Sequence, residues 1–235
     1  MKKKILSTFL ALALLLSAVL SLGSCGLIKK IFGKNEPDDI YTIANSSAAT
    51  ALTTKVGYKA PNGEDFGGWY VAKREGNNMI VEYEYDRYQT IEESVESGNS
   101  DRKVKEAGTV YYLDGKYYDS GDATKTPWVG SPLDVNFKFS LDKSKLSNIV
   151  TPEANLLYAT MTPEACAEMF GITINCEGAI SLYIATNGVQ LTEMQMVYTT
   201  DSGASVTVFT TYSYNDLALD FTPITGEPET EPEAE

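Results

Sequence analysis

The sequence contains no histidine. That absence removes the commonest general base near neutral pH and the commonest transition-metal ligand. It excludes Ser-His-Asp and Cys-His catalytic arrangements, and His-based zinc sites with them. Positive charge is scarce as well: 19 Lys and Arg stand against 32 Asp and Glu, for a formal net charge of -13. A chain this acidic repels phosphate backbones, so nucleic acid is not an expected partner. No calcium loop is present; Asp114, Asp119, Asp122 and Asp201 lie near glycines, but none has the spacing such a loop needs, and they read as turn formers. No internal repeat emerges, since the two Thr-Pro-Glu-Ala tetrads at Thr151 and Thr162 are separated by strand-like sequence. Neither an enzyme, nor a metal site, nor a cofactor is therefore expected.

What is present begins with an address. Met1-Lys2-Lys3-Lys4 is a positive start, and Ile5 to Leu20 is an apolar run broken only by Ser7, Thr8 and Ser17. Leu22-Gly23-Ser24-Cys25 follows and resembles the lipobox of bacterial lipoproteins. In that family the peptide before the cysteine is removed and the thiol carries lipid. The resemblance implies a signal peptide over 1–24, lipidation of Cys25 and a tether over 25–37. Loss of 1–24 removes three lysines and no acid, and moves the formal charge from -13 to -16. A plain membrane span is the alternative, because the apolar stretch approaches the roughly 20 residues needed to cross a bilayer. Within the tether, Leu27-Ile28-Lys29-Lys30-Ile31-Phe32-Gly33-Lys34 mixes apolar and basic residues. It reads equally as a segment lying on anionic headgroups and as a flexible spacer.

The body, 38–221, follows a period of two. Ile180, Leu182 and Ile184 alternate, then Asn187-Gly188 marks a type I′ hairpin. Met194, Met196 and Tyr198 alternate next, Asp201-Ser202-Gly203 turns the chain, and Val206 to Tyr214 alternates again. In the N-terminal half, strands are expected over 50–59, 68–75, 79–88, 109–113 and 116–119, with Asp114-Gly115 as a second hairpin signal. Further strands are expected over 135–141, from the alternation of Phe137 and Phe139, and over 155–161, giving about eight or nine in all. Helices are few. Thr162-Pro163-Glu164 opens one that Gly171 closes, Thr90-Ile91-Glu92-Glu93 has the spacing of a capping box, and 40–47 is a third candidate. The fold class is thus mostly β (α+β): a curved antiparallel sheet, or incomplete barrel, with two or three short helices on its concave side. The tail over 222–235 is rich in Glu and Pro and reads as acidic and disordered.

Candidate functional residues are weaker signals. Glu82, Glu84 and Asp86 share one face of a strand opposite Val81, Tyr83 and Tyr85. They suit calcium or acid–base work, but equally the wet side of a half-buried strand. Cys166 and Cys176 form an even pair beyond the export signal, which suggests a disulfide; two buried free thiols are the alternative. Among the aromatic residues, the 15 tyrosines with Trp69 and Trp128 suit a groove for an acyl chain, a stacking surface for sugar rings, or nothing beyond strand formation. Ligand-lining candidates are Trp69, Tyr83, Tyr85, Met194, Met196 and Tyr198.

The order of lipobox, short helix and long meander interrupted by a capped helix resembles the lipoprotein-carrier superfamily (LolA, LolB and the LppX type). Local phrases similar to uncharacterised Gram-positive lipoproteins of that architecture are 108–115 (Gly-Thr-Val-Tyr-Tyr-Leu-Asp-Gly), 162–171 (Thr-Pro-Glu-Ala-Cys-Ala-Glu-Met-Phe-Gly), and Thr186-Asn187-Gly188 running on to Tyr212-Ser213-Tyr214. The resemblance implies a half-open barrel that carries acyl chains in its hollow. It implies a monomer held on the outer face of a cell membrane, binding a lipid or other apolar ligand. The alternative function is an adhesion module that binds envelope polysaccharide or protein through exposed aromatics.

Overall fold

A computed structural model describes residues 38–98, 103–120, 137, 139–215 and 218–225. Cys25, the tether, Trp128 and the acidic end of the tail lie outside the described residues. Ten strands form one antiparallel sheet: β1 (Ala51–Lys59), β2 (Asp65–Glu75), β3 (Asn78–Tyr88), β4 (Lys103–Leu113), β5 (Lys116–Asp119), β6 (Ser147–Val150), β7 (Leu156–Met161), β8 (Ile180–Thr186), β9 (Leu191–Thr199) and β10 (Ser205–Ser213). The order across the sheet is β5-β4-β3-β2-β1-β10-β9-β8-β7-β6. Two meanders therefore run outward from a central seam where the first strand pairs with the last. Among the described residues no ladder joins β5 to β6, so the curved sheet stays open as an incomplete barrel.

Because side chains on a strand alternate between faces, the register fixes which residues share a side. One row of partners runs Leu157–Ile184–Met194–Thr210–Thr54–Tyr70–Tyr83–Gly108, and the next Ala159–Leu182–Met196–Val208–Val56–Gly68–Tyr85–Glu106. This is the inner face. Over β7–β9 it is closed by two helices, α1 (Asp38–Ser46) and α3 (Pro163–Phe170). Ile40 and Ala44 from α1 and Cys166, Met169 and Phe170 from α3 share one core cluster with Leu157, Leu182, Ile184, Met194 and Met196. Burying each large apolar side chain of that cluster contributes about 1.5–3 kcal/mol. A smaller cluster of Ala49, Leu52, Ala72, Val81 and Phe137 serves the other half of the sheet.

Helix limits follow their caps. The Thr162 hydroxyl accepts from the Ala165 amide at α3, Pro163 stands in the first turn, and Gly171 closes the helix at a φ of 69°. At α2 (Ile91–Ser97) the capping box is complete: the Thr90 hydroxyl accepts from the Glu93 amide and the Glu93 carboxylate accepts from the Thr90 amide. With α1 and α3 the two or three helices expected on the concave side are met, and α2 adds no apolar residue to their core. Ile91 and Val95 are 85% and 77% exposed, so this helix lies off the core. A last short helix, α4, spans Thr222–Thr225.

Three expectations are corrected. The strand over 135–141 is absent from the described part of that segment; Phe137 and Phe139 instead lie over the two clusters, with the Ser140 amide donating to the Met169 carbonyl. Asn187-Gly188 is not a type I′ turn. A register shift between Ala185 and Thr186 leaves four residues to connect β8 and β9, and only Gly188 takes a positive φ. The Asn187 carboxamide oxygen accepts from the Val189 and Gln190 amides and caps that loop. At Asp114-Gly115 both residues do have positive φ, 51° and 80°, as a two-residue hairpin turn requires. Finally, no disulfide joins Cys166 and Cys176. Cys166 points into the core toward the Met196 sulfur at 4.0 Å, while Cys176 sits in a bridge to Thr200 with its sulfur near the Gly178 carbonyl.

Candidate functional site

The inner face changes character along its rows. At β7–β9 it is filled. Met194 is 7% and Met196 1% exposed, and Tyr198 packs half-buried against the same cluster. Three of the six candidate lining residues are thus core. Across β2–β4 the same rows carry Tyr70, half-buried against the second cluster, Tyr83, half-buried, and Tyr85, which is exposed. Tyr83 and Tyr85 stack at 5.9 Å between centroids. Tyr83 lies across Gly108, where an added Cβ would come within 2.7 Å of its hydroxyl. Tyr85 donates to the Glu106 carboxylate at 2.5 Å, and its phenol is pushed up to about 12 by that bond, then by burial. Five of the six candidates therefore share one face, but strands β10, β1 and β2 separate Met194, Met196 and Tyr198 from Tyr83 and Tyr85.

Between these halves, at the seam, is a cleft of about 300 Å³. It is bounded by the end of α1 through Ser47, by Phe137 and Phe139, and by Leu191, Tyr212 and Tyr214. Its frame is built by short hydrogen bonds. The Ser47 hydroxyl donates to the Ile43 carbonyl at 2.7 Å and accepts from the Leu191 amide at 2.8 Å. Tyr214 donates to the Leu191 carbonyl at 2.7 Å. Asn45 grips Leu141 reciprocally, donating to its carbonyl at 3.0 Å and accepting from its amide at 2.6 Å. The side chains of Asn45, Ser47 and Tyr214 are thereby committed to the frame. None of the residues lining it is charged. Burial pushes the Tyr212 phenol far above its ordinary range, so it stays neutral at physiological pH. The cleft is uncharged with aromatic walls, yet more of its exposed lining is polar than apolar, so it is suited to a neutral group with both characters and unsuited to an ion. Its volume is at the lower end of small-molecule sites, about 300–1,000 Å³.

Sequence reading misses these lining residues as a site. Their alternation marks Tyr212 and Tyr214 as strand residues, but nothing in it says that 137–139 and the end of α1 close over them.

Trp69, the sixth candidate, lies on the opposite, outer face and is 38% exposed. On that face too are the three carboxylates of β3. Glu82 faces Lys73 at 3.6 Å, Glu84 pairs with Lys105, and Asp86 faces Lys103 at 3.8 Å. Each carboxylate meets an ammonium from a neighbouring strand, which is the behaviour of a solvated sheet face. Among the described residues no group of three or more acids, cysteines or histidines is placed to hold a metal.

Titrating groups are poised away from neutrality. The Arg87 guanidinium, with help from the Thr90 amide, holds the Glu93 carboxyl at about 2. Glu106 is lowered by its bonds from Tyr85 and Arg87. Burial, followed by the neighbouring Cys176, raises the Cys166 thiol to about 11. Every resolved shift among the described residues runs in these directions: carboxylates down, amines and guanidinium up, phenols and thiols up. None of those groups is tuned toward pH 7, where a general base works best.

No protein-family model matches the sequence, and no curated protein matches it. Among solved structures, the chain is similar to a LolA superfamily protein from Nitrosomonas europaea, at 9% identity and a TM-score of 0.34, over 77% of this chain and 93% of that one. It is also similar to a redesigned β-barrel, at 11% identity and a TM-score of 0.20, over 72% of this chain and 99% of that one. Likeness at this level assigns neither a site nor a ligand. Among the described residues no helix is long and apolar enough to cross a membrane.

Proposed function

We propose that this chain is a lipid-anchored, extracytoplasmic, non-catalytic binding protein that holds an acyl chain or similar apolar group in the cleft at the sheet seam. The observation that carries the proposal is the uncharged cleft of Phe137, Phe139, Leu191, Tyr212 and Tyr214, whose framing hydroxyls on Ser47 and Tyr214 already bond to the backbone. An apolar ligand entering it takes no hydrogen-bond partner from Ser47 or Tyr214, which keep theirs in the frame. The anchor rests on the order of Lys2-Lys3-Lys4, the apolar run and Leu22-Gly23-Ser24-Cys25. A lipid on Cys25 would keep the domain beside the bilayer, the source of acyl ligands. The protein acts as a monomer, and it needs neither metal nor cofactor.

The test blocks the cleft without opening the core. Ala48 is exposed and lines the cleft mouth. Ala48→Trp is expected to weaken binding of a fluorescent fatty acid by about tenfold or more, with the melting temperature unchanged. Equal affinity of the two proteins would remove the cleft from the account.

A further inference from the structure

We propose that the outer face of the sheet carries a second site, a trough floored by Gly57 and Gly67 that binds a saccharide ring against Trp69. Gly57 and Gly67 are register partners in the interior of β1 and β2. Glycine is disfavoured there, and in a strand it often marks a place where something approaches the backbone closely. Neither glycine has the positive φ that would demand one. Packing does not demand them either. A Cβ on Gly57 would meet nothing within 4 Å, and one on Gly67 would make only ordinary contacts, to the Val56 carbonyl at 3.7 Å and Asp86 Oδ2 at 3.8 Å. Gly68, the next residue, is different: it faces inward, where a Cβ would come within 2.8 Å of Tyr85 Cβ. The inner glycine is explained by its neighbour, and the two outer ones leave open space.

That space is an open trough of about 460 Å³. Along one side the register sets Phe209, Lys55 and Trp69 in a row across β10, β1 and β2. On another side stands Asp86. One of its oxygens accepts from the Gly67 amide at 2.9 Å and faces the Lys103 ammonium at 3.8 Å, which fixes the carboxylate in place. Glu84 and Lys105, paired with each other, complete the rim.

This combination selects among ligand classes. An aromatic face is electron-rich and attracts the polarised C–H bonds on the flat side of a pyranose. Fixed carboxylates and ammonium groups around it accept from and donate to ring hydroxyls. An acyl chain would instead desolvate four charged side chains without replacing their water. Polyanions are repelled by a chain of net charge -13. A neutral or weakly charged glycan of the envelope is the class that fits, and the site faces away from the apolar cleft.

The experiment uses the detergent-solubilised full chain. Trp128→Phe leaves Trp69 as the sole tryptophan of two. Tetrasaccharides of glucose, N-acetylglucosamine and galactose are titrated while its emission is followed. At least one is expected to change the emission saturably. In calorimetry with that sugar, Trp69→Ala and Gly57→Val, which fills the floor, are each expected to weaken binding by about tenfold or more at an unchanged melting temperature. No response to any of the three sugars would overturn the proposal. So would a Gly57→Ala protein with a lowered melting temperature and intact sugar affinity, the behaviour of a glycine that only lets the sheet bend.

Discussion

Thr54 and Thr210 face each other across the seam, both buried, with their hydroxyls 2.9 Å apart. They are a buried polar pair at the seam of the inner face, and each satisfies the other. Thr54→Val or Thr210→Val alone strands one buried hydroxyl and is expected to cost about 1–3 kcal/mol in urea denaturation. The double Val variant is expected to recover most of that loss, since both polar groups are then gone. Additive losses would show that the two hydroxyls do not depend on each other. Residue-scale features such as this pair were the least legible in the sequence, because a threonine in a strand looks the same whichever face it takes. The cysteines show the same limit. Parity and an exported context favour a bridge, but Cys166 lies on the inward side of α3 against Met196, and no spacing rule reveals that. Asn187-Gly188 failed as a turn signal for a related reason: the shift at Ala185 lengthens the loop, so Asn187 serves as a cap instead.

At the scale of elements, α2 is the clearest case of a helix held by polar contacts alone. Its apolar residues Ile91 and Val95 point to solvent. Arg87 ties it to the sheet, donating to both oxygens of Glu93 at 2.7 and 2.8 Å and to Glu106 at 2.5 Å. The Glu93 carboxyl, at about 2 against an ordinary 4.5, reports this tie. For a lowered carboxyl the stabilisation is fully present above about 4.5 and is lost as the pH falls through about 2. The amides of α2 are therefore expected to lose exchange protection in that acid window, and Arg87→Ala to move the Glu93 titration toward 4.5. A Glu93 that titrates near 4.5 in the unsubstituted protein, followed by carboxyl-carbon NMR, would contradict the tie. The box itself was readable from Thr90 and Glu93, as was α3 from Thr162, Pro163 and Gly171, because capping is local chemistry. Placement of α2 was not readable, since a two-turn helix carrying Ile91 and Val95 reads as one that should face a core. Strands were legible where alternation is strong, as at Ile180 to Ile184. The short β6 (Ser147–Val150) escaped notice because a positive φ at Asn148 and a register irregularity break its period.

For the whole molecule, the seam between β1 and β10 organises everything else. It makes two meanders into one sheet, and it leaves the inner face packed under α1 and α3 on one side and lined with tyrosines on the other. The mostly-β class and the antiparallel order followed from periodicity, and the cleft did not, because a cleft is made by segments far apart in the chain. Ser47, Phe139, Leu191 and Tyr214 meet only once the first and last strands pair. On the proposed function, the anchored domain stands beside a bilayer and the uncharged cleft at the seam receives what the bilayer supplies. The most direct test is native mass spectrometry of the exported chain carrying Cys25→Ser, which removes the proposed anchor and leaves the domain intact. The account predicts an adduct of lipid mass, lost on organic extraction and absent from the Ala48→Trp protein. A clean apo mass, unchanged after incubation with membrane extract, would contradict it.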